Sequence, residues 1–116
     1  TRRSSDLDDS LYPCPPASFV QSIGALINEA QKVHGIWLAD YYHFIPSPNG
    51  LDWVVGTNVH AKNEQDAINT ARKITAQITH STTPNAKVSE NSGMVVCYYE
   101  PVNGEDKVFA YTGRIG

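Results

Sequence analysis

The chain has 116 residues, a formal net charge of −3 and an ordinary globular balance of apolar and charged residues. That length makes one domain. Lys and Arg are dispersed, and Arg2-Arg3 is offset by Asp6, Asp8 and Asp9, which argues against nucleic-acid binding; no apolar run approaches the ~20 residues of a membrane-spanning helix.

Residues 1–13 are polar and lack a hydrophobic period, so a flexible N-terminal arm is expected, followed by a single α+β domain over 14–116. Pro13, Pro15 and Pro16 force extended backbone around Cys14. The chain does not begin with Met, and Met94 is its only methionine. This fits a mature form after removal of a signal peptide, or a trimmed chain.

Residues 17–33 are ambiguous. Phe19, Ile23, Leu26, Ile27 and Ala30 follow a helical period, but Gly24 interrupts it, and Ser22, Ile23, Ala25 and Ile27 also suit a strand. Local rules do not decide. A strand from Ser22 to Asn28 is expected, because the following segments need a sheet partner.

Ile36–Ile45 and Leu51–His60 are rich in aromatic and β-branched residues and flank the turn signal Pro46-Ser47-Pro48-Asn49-Gly50. A hairpin centred on Pro48 puts Trp37, Ala39, Tyr41, His43 and Ile45 opposite Leu51, Trp53, Val55, Thr57 and Val59, on the core face. The other face carries Asp40, Tyr42, Asp52, Asn58 and His60, together with Ile36, Leu38, Phe44 and Val54. It is too apolar for a solvated surface, so it either packs on another element or binds something.

Asn63 to Ile78 reads as the main helix. Asn63 is a suitable N-cap, Glu64 and Asp66 favour the positive end of the helix dipole, and Ala67, Ala71, Ile74 and Ile78 form one stripe. Residues 80–85 read as a loop. A second hairpin, Val95–Glu100 with Lys107–Ile115, turns at Asn103-Gly104. It pairs Glu100 with Lys107 and Tyr98 with Phe109, and places Cys97 on the core face with Val95, Tyr99, Val108 and Ala110. The expected fold is therefore an antiparallel sheet of four to five strands with one main helix packed on one face.

The two cysteines, Cys14 and Cys97, have no partners for a zinc cage. The expected state is one long-range disulfide in an oxidising compartment, secreted or periplasmic; the alternative is two buried thiols in the cytosol. Cys-x-x-Cys, Gly-x-Ser-x-Gly, P-loop and Gly-x-Gly-x-x-Gly motifs are all absent. Asp40 and Asp52 could form a glycosidase-like carboxylate pair, although surface solvation is the commoner reason for two such residues. His34 and His60 could approach one another at the strand ends and hold a metal or haem iron, with water-exposed strand ends as the plainer reading. Tyr41-Tyr42 and Tyr98-Tyr99 put one phenol on each side of their strands; with Trp37, Trp53, Phe44, Phe109 and Tyr111 they could line a groove for a flat apolar ligand or a protein.

Several segments together carry a resemblance: Cys14-Pro15, Gly35-Ile36-Trp37-Leu38-Ala39, Asp52-Trp53-Val54-Val55-Gly56, a helix with Asp66-Ala67-Ile68-x-x-Ala71, and Val96-Cys97-Tyr98. The chain resembles, from Cys14 to Tyr99, the small secreted family of Legionella proteins that includes VirK-like proteins and a hemin-binding protein. The resemblance implies an exported, virulence-associated protein, with hemin binding in one branch. No ligand residues carry over from it.

The expectation is a secreted binding or effector module without catalytic activity or resident metal, engaging a host or envelope protein. The candidate surface is Asp40, Tyr42, Phe44, Asp52 and His60, with the 46–50 tip beside it. Haem binding through His34 or His60 is the alternative, and a small hydrolase ranks last.

Overall fold

The computed structural model describes residues 11–48, 50–104 and 106–115. Eight strands and two helices follow in order: β1 (Leu11–Pro13), α1 (Ala17–Gly24), β2 (Glu29–Val33), β3 (Ile36–Pro46), β4 (Asp52–Val59), α2 (Glu64–Thr75), β5 (His80–Ser81), β6 (Asn85–Lys87), β7 (Val96–Asn103) and β8 (Asp106–Thr112). Six strands form one antiparallel sheet in the order β2-β3-β4-β8-β7-β5, and β1 pairs with β6 in a small separate ladder. The α+β class is as expected, but the sheet is larger and a second helix is present. Most of the expected arm, residues 1–10, lies outside the described residues; its inner end, Leu11–Pro13, is strand β1.

The expected strand from Ser22 to Asn28 is not formed. Ala17–Gly24 is helical, burying Val20, Ile23 and Gly24. Gly24, which interrupts the helical pattern in the sequence, is what lets α1 cross α2. A Cβ added there would lie 2.1 Å from Cγ2 of Thr75. Gln21 Nε2 then donates to the carbonyls of Ala76 and Ile78, fastening α1 to the exit of α2.

The sheet partner comes five residues later, as β2. His34 and Gly35 both have positive φ, 51° and 84°, the signature of a tight two-residue hairpin turn. That turn sets Val33 opposite Ile36 and Glu29 opposite Asp40.

The β3–β4 hairpin keeps the expected register over Trp37–Val59, Ala39–Thr57 and Tyr41–Val55, then shifts so that Ile45, not His43, pairs with Trp53. Tyr42, His43 and Phe44 span the irregularity, and all three side chains are exposed. His43 is thus not a core residue beside Trp53; its ring lies 4.5 Å from that of Tyr41. The Trp53 indole N–H donates instead to Ser47 Oγ at 3.1 Å, and that of Trp37 to the Ala61 carbonyl.

Helix α2 has the expected cap: Asn63 accepts from the Asp66 amide at 2.9 Å, and Asp66 accepts in return from the Lys62 amide. It ends at Thr75, before Ile78. His80–Ser81, expected in a loop, pairs with Glu100 and Tyr99 as edge strand β5. In the last hairpin Tyr98 faces Phe109 as expected, whereas the ladder shifts between Tyr99 and Asn103, so the Glu100–Lys107 pair is not among its partners.

The core lies on one side of the sheet. Trp53, Val55, Cys97, Tyr99, Val108 and Ala110 pack with Val20 and Ile23 of α1. Ala39 and Val59 pack with Ala67, Ile68 and Ala71 of α2. Cys14 and Cys97 form the expected disulfide, with Cα atoms 5.9 Å apart and a sequence separation of 83. Beside it, the Tyr99 hydroxyl donates to the Pro15 carbonyl, and burial raises the Tyr99 phenol well above its ordinary pKa.

Candidate functional site: the open face of the sheet

Side chains alternate across a strand, so the residues between the core positions form the opposite face. No described helix packs there, since both helices bury their apolar stripes against the core side. The face is nonetheless apolar. Tyr42, Phe44 and Tyr98 are exposed large hydrophobics, while Leu38, Val96, Phe109 and Tyr111 are half-buried. Ring centroids lie 6.2 Å apart for Tyr98–Phe109, 6.0 Å for Phe109–Tyr111 and 6.0 Å for Tyr42–Phe44. Lys107 Nζ sits 5.8 Å from the Tyr98 ring centroid.

Gly56 is the floor. A Cβ there would come within 3.0 Å of Phe109 Cζ and 3.4 Å of Leu38 Cδ1. With no side chain on β4 at this point, the Phe109 ring lies down across the strand toward Leu38. Val54, next along the same face, is fully buried although no described element covers it. This explains why the face looks too apolar in sequence: its own rings shelter its floor.

One cross-strand row runs through the site. Glu29 of β2 pairs with Asp40 of β3, Asp40 with Gly56 of β4, Gly56 with Phe109 of β8, and Phe109 with Tyr98 of β7. At a strand spacing of ~4.8 Å, the row measures about 19 Å from Glu29 to Tyr98, and Asp40 stands about 10 Å from Phe109. The row is acidic at one end and aromatic at the other.

Glu29 and Asp40 are cross-strand partners of β2 and β3. Burial, then the Glu29 charge and hydrogen bonding to Glu29, push the Asp40 carboxyl up to about 6. Burial, followed by the charges of Asp40 and Tyr42, pushes the Tyr111 phenol up to about 12. Two adjoining depressions result. One, of about 340 Å³, has Glu29, Asp40, Glu64, Tyr42 and Tyr111 in its wall. The other, of about 360 Å³, is walled by Met94, Val96, Tyr98 and Phe109. Leu38 and Tyr111 belong to both.

The structure brings together only part of the expected surface. Asp40, Tyr42 and Phe44 share this face. Asp52 is exposed at the start of β4, opposite Pro46. It lies four residues along β4 from Gly56, the partner of Asp40, which is about 13 Å. Asp40 and Asp52 are therefore not a carboxylate pair; the partner of Asp40 is Glu29. His60 lies past the other end of β4, with Nδ1 3.1 Å from Asp106 Oδ1. His34 is a turn residue of the β2–β3 hairpin. Asp52 and His60 are separated by the length of β4, about 26 Å, so one small ligand cannot touch both. Among the described residues no group of three or more His, Cys, Asp or Glu is placed to hold a metal ion.

The paired tyrosines behave as expected: Tyr99 is buried in the core while Tyr98 is exposed on the open face, and Tyr41 packs on the core while Tyr42 is exposed. Trp37 and Trp53 pack in the core clusters and leave the groove. Glu29, Met94 and Val96 were missed. Glu29 was missed because β2 was expected earlier in the chain; the His34-Gly35 turn is the signal that would have placed it.

No protein-family model, curated protein or solved structure matches this chain.

Proposed function

We propose that the chain is a secreted or periplasmic binding module without catalytic activity, acting on a host or envelope protein through the open face of its sheet. The observation that carries this reading is the aromatic row from Phe109 to Tyr98, on which no helix or strand packs among the described residues, with Tyr42 and Phe44 exposed beside it. Exposed aromatic clusters of this kind are typical of interaction surfaces. The Cys14–Cys97 bridge supports an oxidising compartment, and the Legionella family resemblance supports export and a role in infection. Asp52 lies about 13 Å along β4 from the partner of Asp40, beyond the ~5–9 Å at which a glycosidase holds its two carboxyls, which speaks against the hydrolase reading.

Site-specific photocrosslinking tests the reading. A photoreactive residue at Tyr98 should give a discrete adduct in host-cell or envelope extract, competed by wild-type protein but not by a Phe109→Ser variant. The same probe at Gln65, exposed on α2, is the control. Identical adducts from both positions would refute a binding role for this face. Titration with hemin addresses the haem alternative: a Soret band abolished by His34→Ala or His60→Ala would transfer the function to haem binding.

A further inference from the structure

We propose that the open face receives a polypeptide segment that presents an arginine or lysine to the Glu29–Asp40 pair and an apolar side chain to the trough beside Phe109. This rests on the reading of the face as a binding surface and names the chemistry of its partner.

Charge complementarity and an apolar neighbour select this partner. The first depression is lined by Glu29, Asp40 and Glu64 and by Tyr42 and Tyr111, with no Lys, Arg or His among the described residues of its lining. A cation entering it meets carboxylates beside tyrosine side chains, and the carboxylates favour it. Guanidinium suits a planar carboxylate pair particularly well, because its donors form a rigid fork. The second depression shares the Leu38 and Tyr111 walls and is mainly apolar, with Met94, Val96 and Phe109. The nearest basic wall residue there, Lys107, sits over the Tyr98 ring at the far end of the row.

Spacing selects a peptide. Asp40 stands two strands from Phe109, about 10 Å, across the glycine floor. In an extended segment, side chains two residues apart point the same way and sit ~7 Å apart. A leucine above Phe109 therefore leaves an arginine two residues on within reach of Asp40. Small cations without an apolar arm fill only one depression.

The site should respond to pH. Asp40 is faced by Glu29 from β2 and shares its depression with Glu64 from α2, Tyr111 from β8 and Tyr42 from its own strand, and its carboxyl is pushed up to about 6. A bound cation must displace that proton, so affinity rises from pH 5 to pH 7.5.

The test is an amide-shift NMR titration with the blocked tripeptide acetyl-Leu-Ala-Arg-amide and its counterpart carrying citrulline, the uncharged isostere, in place of arginine. The arginine peptide should shift amides along the row and bind about tenfold tighter at pH 7.5 than the citrulline peptide. The Glu29→Gln/Asp40→Asn double variant should erase that difference and the pH response. Phe109→Ser should weaken both peptides. Equal affinities for the two peptides, shifts away from the row, or no binding would overturn the proposal. Equal affinities on the row would leave the binding surface standing and remove only its cation, whereas identical crosslinks from Tyr98 and Gln65 would remove both.

Discussion

Reducing the Cys14–Cys97 bond at constant packing should cost the fold about 4.5 kcal/mol. The bond closes a loop whose ends are 83 positions apart, and the chain-entropy relation gives that figure for a loop of this size at 25 °C. A typical domain is stable by ~5–15 kcal/mol, so reduction removes about 30% or more of the total. The tether is also well placed to matter structurally. Cys97 is 1% exposed in the core cluster, the Cys14 amide donates to the Pro84 carbonyl at 3.0 Å, and the adjacent Pro15 carbonyl accepts from buried Tyr99. The assay is urea unfolding followed by tryptophan fluorescence, comparing oxidised protein with protein held reduced, so that both sulfurs stay in place. Intact mass after alkylation, before and after reduction, fixes the thiol count of each sample. With a urea slope of ~1.5 kcal/mol per M, the midpoint should fall by about 3 M. A fall below about 1 M would refute the loop-entropy reasoning. It would mean that the unfolded chain already holds these ends together, or that bridging strains the native state.

Gly24→Ala decides between propensity and packing at the helix crossing. Helix propensity predicts a gain of up to ~1 kcal/mol, but the new methyl would meet Thr75 Cγ2 at 2.1 Å. Overpacking of this kind costs ~1–3 kcal/mol, so a net loss of about 1–2 kcal/mol is expected in chemical unfolding; a stabilised variant would show that α1 does not press on α2. Asp40→Asn tests the buried carboxyl. The folded-state pKa is raised from 3.8 to about 6, so the native state holds the proton more tightly than the unfolded chain. Its contribution is therefore complete below the unfolded value and is lost as pH rises through 6. The variant should match wild type in thermal midpoint at pH 4 and exceed it at pH 7.5; a parallel pH profile for the two proteins would refute the assignment.

Local chemistry made some of this protein legible from its residues. The Asn63 cap, the acidic first turn and the alanine stripe specify α2 within a few contiguous residues, and the helix forms there, ending three residues early. Alternation around the 46–50 turn places Trp37, Ala39 and Val59 on the core side, because a period of two needs no partner to be read. Two cysteines without other metal ligands indicate a bridge by count alone. Tertiary structure decided the rest. The crossing of α1 and α2 depends on Thr75, some fifty residues away, against which a side chain at Gly24 would clash. The irregularity at Tyr42–Phe44 exposes His43, although alternation alone assigns it to the core. The acidic–aromatic row joins five strands, and each step is a pairing between residues distant in sequence or fixed by a turn. Propensity acts through near neighbours on the chain, whereas strand order and register are set by which apolar faces must be buried together. For that reason Glu29 meets Asp40, and Asp40 faces Phe109 across Gly56, only once the sheet is assembled.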